Sequence, residues 1–304
     1  MIHFAFFGTD EFSLGVLEEL IKQGLTPSLV VTAPARPQGR GKKLKEPVLR
    51  HYADEHGIVC IQPHGLKEIP PELKEQKWDL FIVASYGKII PQKILDIPAR
   101  GALNVHPSLL SKYRGPSPIE SVLLAGETET GVTIMRMDRE VDHGAIAAQE
   151  SVPLSPDAYY PDIAVELAEC GGKLLAKTVP EWMSGSYAAH EQDHAHATYT
   201  KKITVEDGLI EPNGNAVENY RKVRAYLPWP KAYYFHKKGS GDIRVAVTRA
   251  RCHPETRAYL NRKRAEGKTT REAIRCLKRH LARRIWHLLQ PPHPGPGHPH
   301  PSTS

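Results

Sequence analysis

Short apolar runs alternate with helical periodicities through the first half of this chain. Residues 2–7, 29–32, 79–85 and 102–105 read as buried strands, and 11–23 and 47–55 as amphipathic helices ending at Gly24 and Gly57. Strands alternating with helical patterns predict an α/β fold, doubly wound around a mostly parallel sheet. Further on, 132–137 and 145–149 read as strands and 162–183 as a long helix. The expected organisation is a catalytic-sized domain over 1–189, a polar linker over 190–204 and a smaller unit over 205–250. That unit has a helix over 216–226 and strands over 232–236 and 243–248 joined by a Gly-Ser-Gly turn.

After Ala250 the character changes. Residues 251–290 read as a basic helical segment, with Thr269 and Glu272 spaced as a capping box at the start of its second helix. Ile274, Leu277, Leu281, Ile285 and Leu288 fall on one face of that helix. Residues 291–304 are rich in Pro, Gly and His and predict an unfolded or polyproline-like tail.

Charge sharpens this division. The formal charge is +7, yet 251–290 holds twelve Lys or Arg against three Glu, so the remaining residues sum to −2. The basic character is local and suits an anionic partner. At 304 residues, 40% hydrophobic and 25% charged, the chain is an ordinary two-domain length and composition. No apolar stretch approaches the ~18 residues of a membrane span. The first apolar run lacks a basic lead-in, and Asp10 and Glu11 follow it at once, so it reads as a strand and not as a signal peptide. Cys60, Cys170, Cys252 and Cys276 are scattered, as reduced cytoplasmic thiols are.

Candidate chemistry gathers at the end of the 102–105 strand. Alternate strand side chains share a face, so Asn104 and His106 point the same way, and Pro107 stops the strand there. Open α/β sheets bind ligands at such carboxyl ends. An Asp142-His143-Gly144 turn follows thirty-six residues after the histidine. The amide of Asn104 can hold an oxyanion, His106 can donate to the same oxygen or move a proton, and Asp142 can orient the imidazole and draw off a proton, a combination suited to acyl transfer. The first strand–helix turn has one glycine, Gly8, and no G-x-G-x-x-G, which argues against a dinucleotide. His190, His194 and His196, like Cys252, His253, Cys276 and His280, lack the close paired spacing of a zinc site, so no metal is expected.

The segment Asn-Val-His-Pro-Ser-Leu-Leu-Ser-Lys-Tyr-Arg-Gly-Pro-Ser-Pro-Ile (104–119), with Glu-Thr-Gly-Val-Thr-Ile-Met (129–135) and Val-Asp-His-Gly (141–144), resembles the folate-dependent formyltransferases. The likeness begins at Phe-Gly-Thr-Asp-Glu-Phe (7–12), runs through Arg-Pro-Gln-Gly-Arg-Gly-Lys-Lys-Leu (36–44) and Val-Ala-Ser-Tyr-Gly (83–87), persists to Trp-Pro-Lys-Ala (229–232) and fades near Ala250. The resemblance implies a formyltransferase-like Rossmann fold followed by a truncated β-barrel-like second domain. It implies transfer of a formyl group from 10-formyltetrahydrofolate to methionyl initiator tRNA, by a cytoplasmic monomer without a membrane partner. Asn104, His106 and Asp142 then take the catalytic roles. Ser108, Leu109, Leu110 and Ser111 become the folate-contacting loop, with Ser111 in place of the usual proline, and Tyr86 and Gly87 wall the pterin pocket.

Arg36, Arg40, Lys42, Lys43 and Lys45 form a cationic, flexible-looking loop that the same resemblance directs at tRNA. The loop is not a Walker loop, since Arg36 and Lys43 stand where glycine and Ser or Thr are required. The alternatives are the same chemistry on another amine, such as an amino-sugar nucleotide, and a noncatalytic nucleic-acid-binding chimera. Residues 252–285 resemble the carboxyl-terminal segment of an insertion-sequence transposase, which implies that the family's usual end has been replaced.

Overall fold

The computed structural model describes residues 2–38, 41, 43–186, 189–238 and 241–247, and from 248 onward only 262, 263, 265–267, 269 and 272. Met1–Val247 forms one compact unit and Thr248–Ser304 another. In the second, the expected capping box is made: Thr269 Oγ1 and the backbone N–H of Thr269 both lie 2.9 Å from Glu272 Oε2. The N–H of Glu272 returns a bond to Thr269 Oγ1 at 3.3 Å. The apolar helix face, the cysteines Cys252 and Cys276, the transposase-like stretch and the tail otherwise lie outside the described residues, as do Arg40 and Lys42.

In the first unit the strands are Phe4–Phe7 (β1), Leu29–Val31 (β2), Arg36–Gln38 (β3), Lys43–Lys45 (β4), Cys60–Ile61 (β5), Leu80–Val83 (β6), Ala102–His106 (β7), Glu129–Arg136 (β8), Ile146–Pro153 (β9), Ala232–Lys238 (β10) and Gly241–Val247 (β11). The helices are Glu11–Lys22 (α1), Val48–Glu55 (α2), Pro71–Lys74 (α3), Gln92–Leu95 (α4), Pro118–Ala125 (α5), Tyr160–Ser184 (α6) and Ala216–Ala225 (α7). The main sheet runs β5-β2-β1-β6-β7-β8-β9; its first five strands are parallel, and β8 and β9 are antiparallel additions. This is the mostly parallel α/β architecture that the sequence pattern predicts.

Strand alternation divides the core into two layers. Phe4, Phe6, Leu103 and Val105 pack with α1 and α6 residues such as Leu17 and Leu167, while Ala5, Phe7, Phe81, Val83 and Ala102 pack against Trp78 and Ile94 on the other face. Helix α6 lies very close to the sheet at Gly171 and to α1 at Gly172 because neither residue carries a side chain. A Cβ on Gly171 would stand 2.7 Å from Val105 Cγ1, and one on Gly172 2.5 Å from Glu19 Cβ. With Val105 seated under α6, Asn104 and His106 must face the opposite side.

Three local features differ from the sequence reading. The 36–45 loop is an antiparallel hairpin, with Arg36 directly opposite Lys45 and Gln38 opposite Lys43. Its alternating basic residues carry no apolar strand signal. Helix α5, Pro-Ile-Glu-Ser-Val-Leu-Leu-Ala, is only eight residues long, too short for its buried stripe of Ile119, Val122 and Leu123 to be told from a strand-like run; Pro118 opens it and Gly126, at φ +74°, closes it. The 190–200 stretch, expected as a polar connector, is laid along the site loop. The N–H of Arg114 donates to Thr198 O at 2.9 Å, Thr200 N donates to Arg114 O at 2.7 Å, and His190 pairs with Ile146. Beyond it, β10 and β11 form a two-stranded hairpin, and Ala232 joins Tyr159, Ile210 and Val223 in a small separate core.

Candidate active site

Strand β7 sits between β6 and β8, with Asn104 opposite both Val83 and Met135 and His106 opposite Thr133. Both side chains are buried, Asn104 at 9% exposure and His106 at 3%. The Asp142 turn reaches them from the β8–β9 connection. Asp142 itself has φ +49°, a left-handed conformation that an Asp tolerates better than most residues. Gly144 seals the turn, since a Cβ there would stand 1.9 Å from Arg136 O.

The three residues singled out in the sequence converge. Asn104 Nδ2 lies 3.4 Å from Asp142 Oδ1, and His106 Nδ1 lies 3.6 Å from Asp142 Oδ2. On the far side of the ring, His106 Nε2 donates to the carbonyl of Tyr113 at 3.0 Å; a carbonyl only accepts, so Nε2 carries a proton. Nδ1 is thus left facing the carboxylate. The backbone N–H of Gly115 donates to Asp142 Oδ2 at 2.8 Å. Both His106 nitrogens are directed at protein oxygens, whereas one Asn104 N–H has no protein acceptor among the described residues.

The loop after His106 is held from within. Ser108 is fully buried, its hydroxyl donating to Lys112 O at 2.8 Å. Thr133 Oγ1 donates to Ser108 O at 2.7 Å and accepts from Leu110 N at 3.1 Å; Gln149 Nε2 donates to Leu110 O at 2.6 Å. Leu110 packs on Met135 and Ile146. The side chains of Ser108 and Leu110 therefore shape the loop, and of the four residues expected there only Leu109 and Ser111 are half-buried. Sequence reasoning missed Thr133 and Gln149, although their alternation on β8 and β9 places both beside Leu110.

Across the cleft end of the sheet, Thr9 Oγ1 donates to Tyr86 O at 2.9 Å, tying the 84–91 loop to the first turn. Ser85 and Gly87 are left-handed, at φ +46° and +73°. Tyr86 is buried, its hydroxyl without a partner among the described residues and its phenol pushed up to about 12 by burial. Ile89, at 88% exposure, presents an open apolar side chain in the same loop. A folate's flat, partly apolar ring can pack on an exposed isoleucine, so the residues present are compatible with that ligand. Lys88 Nζ donates to Pro63 O at 2.8 Å; burial and then the charge of Arg36 lower its pKa. The basic hairpin therefore stands next to this loop, with Arg36, Lys43 and Lys45 all exposed.

Two carboxyls flank the same end of the sheet. Asp10 caps α1 by accepting from Ser13 N at 3.1 Å and also accepts from Ser85 Oγ, yet burial holds its pKa above the ordinary value. Glu120, in the first turn of α5, is pushed up to about 7 by burial, with the charge of Asp10 adding to the effect. Among the described residues no group of His, Cys, Asp or Glu is arranged to hold a metal ion. His194 and His196 instead pair with Glu191 and Asp193.

Residues 2–179 match the family model described as formyl transferase. The chain belongs to the formyl transferase family. It is 42% identical over 232 residues to a methionyl-tRNA formyltransferase of Chloroflexus aggregans, covering 76% of this chain and 75% of that protein. With the protein of the same name from Geobacter sulfurreducens it shares 37% identity, over 76% and 73% of the two chains. A solved sugar N-formyltransferase from Shewanella superposes with TM-score 0.61 over 82% of this chain and 97% of that one, at 17% identity. An N-formyltransferase from Helicobacter canadensis, solved with folinic acid and dTDP-3-aminofucose, gives TM-score 0.57 over 75% and 81%, at 21% identity. This formyltransferase is thus a one-carbon group transferase, and 10-formyltetrahydrofolate is its donor. Among the described residues, no helix is long and apolar enough to cross a membrane.

Proposed function

We propose that this formyltransferase transfers the formyl group of 10-formyltetrahydrofolate to the amino group of methionyl initiator tRNA. The observation that carries the reading is the meeting of Asn104, His106 and Asp142 in a chain at about 40% identity to proteins of that name. The bound folate supplies a formyl group on N10. Asn104 donates its free N–H to the formyl oxygen as the carbon becomes tetrahedral, a contact worth roughly 3–4 kcal/mol where such donors have been tested. Asp142 accepts the proton lost by the attacking amine, through water, and its carboxylate faces His106 Nδ1, where that proton can be shared. The new bond joins the amine nitrogen to the formyl carbon; the bond broken joins that carbon to N10, which takes up a proton in turn.

Residues 1–189 act as the catalytic domain, and 190–204 connect it to 205–250, an incomplete tRNA-contacting unit. Tyr86, Gly87, Leu109 and Ser111 line the folate, with Ser108 and Leu110 holding the loop. Arg36, Arg40, Lys42, Lys43 and Lys45 face the tRNA backbone. The cross-strand pair Arg36 and Lys45 supports this, because like charges opposite one another are unfavourable until an anion lies across them. The enzyme works in the cytoplasm as a monomer, without a membrane partner. Formylation of charged initiator tRNA by purified protein, against amino-sugar nucleotides, is the deciding assay. Turnover confined to the sugar nucleotides would replace the tRNA reading, and turnover with neither would leave a nucleic-acid-binding chimera.

A further inference from the structure

Arg114 is among the largest fully buried side chains of the protein, at 1% exposure, and among the described residues no carboxylate pairs with it. Its donors go to neutral acceptors. Nε and Nη2 fork onto Gln192 Oε1 at 3.0 and 2.7 Å, Nη1 reaches Tyr199 Oη at 3.1 Å, and Nη2 also meets His194 Nδ1 at 2.8 Å. The fork fixes which way the Gln192 amide points. Its nitrogen must face away, and there Nε2 donates to Asp142 O at 2.9 Å and Gly144 O at 2.8 Å. Gln192 is itself 5% exposed, and the acceptor and both donors of its amide are engaged.

We propose that Gln192 is a positioning residue for formyl transfer: oriented by buried Arg114, it clamps the Asp142–Gly144 turn so that the carboxylate stays against Asn104 and His106. This rests on the function proposed above and deepens it. The two carbonyls it grips lie on either side of His143, in a turn whose Asp142 is left-handed and whose Gly144 admits no side chain. A backbone in that state reverts to commoner conformations unless its surroundings hold it. The side-chain contacts of Asp142 are long, at 3.4 and 3.6 Å, apart from the Gly115 bond. The carboxylate is therefore held at one oxygen by the Gly115 N–H and otherwise through its own backbone, whose carbonyls Gln192 grips.

The decisive variant is Gln192→Glu. A carboxylate there pairs with Arg114 at least as well as the amide does, but it offers no N–H to either carbonyl and repels both. A purely structural role predicts wild-type kinetics at temperatures below the variant's own melting, whatever its Tm. The positioning role predicts, at the same temperatures, kcat lowered at least tenfold, KM for 10-formyltetrahydrofolate within about twofold, and a displaced limb in the pH profile of kcat.

Gln192→Met, which removes both sets of bonds at similar volume, is the second variant. It should lower Tm and still show the kcat loss at temperatures well below its own melting. Wild-type kcat in either variant, or a loss confined to KM, overturns the proposal. Asp142→Asn serves as control. If wild type formylates methionyl-tRNA and Asp142→Asn does not, while Gln192→Glu matches wild type, only the positioning role falls. A wild type that formylates neither methionyl-tRNA nor an amino-sugar nucleotide overturns both readings.

Discussion

The backbone N–H of Gly115 and the imidazole of His106 converge on one oxygen of Asp142: Gly115 N lies 2.8 Å from Oδ2 and His106 Nδ1 3.6 Å from it. The shorter contact is the charge-assisted hydrogen bond, and the longer one is an electrostatic approach without a direct bond. Asp142 is thereby fixed by a main-chain donor while its charge remains directed at the imidazole. The other oxygen faces Asn104. One carboxylate thus touches both remaining members of the trio, so its removal should be felt through each.

Replacing Asp142 by Asn keeps its size but removes the proton acceptor. Formylation kinetics should show kcat lower by about 10²–10⁴. Folate affinity measured by fluorescence titration should stay within a few-fold, because the loops proposed to line the ligand are untouched. For Asn104→Ala the loss of the oxyanion donor should reduce kcat by about 10²–10³, again with little change in folate binding. Unchanged turnover in both variants would remove the proposed assignments.

The basic hairpin should reveal itself through salt. Arg36, Lys43 and Lys45 are exposed and, among the described residues, lack acidic partners. Each phosphate that a variant no longer neutralises should reduce the slope of log affinity against log salt by about 0.7–0.9. Arg36→Ala, Lys43→Ala and Lys45→Ala together should weaken tRNA binding at low salt and flatten its salt dependence. kcat at saturating tRNA should be nearly preserved. A filter-binding series over salt concentration tests this.

Glu120 gives a pH prediction. Burial holds its carboxyl near about 7, above its ordinary value of 4.5, so the folded protein retains a proton that the unfolded chain has already released. The stabilisation is complete below the ordinary carboxylate range and is lost as pH rises through about 7. Glu120→Gln should therefore resemble wild type near pH 4.5 and exceed it in Tm above pH 7. The gain should be about 2–4 °C for each kcal/mol recovered. Thermal melts across that range read the crossing directly.

At Gly171 a methyl group has no room beneath α6. Gly171→Ala places a Cβ 2.7 Å from Val105 Cγ1, next to Asn104 in the chain. Overpacking of this kind costs about 1–3 kcal/mol. Denaturant unfolding should show the loss, and any shift of β7 should appear as a parallel fall in kcat. Exposed Gly24 offers the contrast: nothing lies within 4 Å of a Cβ there, and only its left-handed φ of +84° opposes substitution.

The sequence by itself determined the parallel sheet, the α1, α2 and α6 helices, the strand that carries Asn104 and His106, and the residue types suited to acyl transfer. These are legible because alternation along a strand and capping along a helix are local, and one strand fixes both side chains on one face. Tertiary structure decided the rest. Whether Asp142 meets that face depends on a turn closed by Gly144 against Arg136. Which nitrogen of His106 is bound depends on the carbonyl of Tyr113. The hold on the turn comes from Gln192, fifty residues away in a stretch whose polar composition reads as a connector. Helix α5 spans only eight residues, too few for its apolar stripe to be told from a strand-like run, and the 36–45 hairpin shows no apolar alternation because Arg36, Lys43, Leu44 and Lys45 are exposed. Contacts between distant backbone groups leave no mark on local pattern, and the Asp142 carboxylate is held by such contacts.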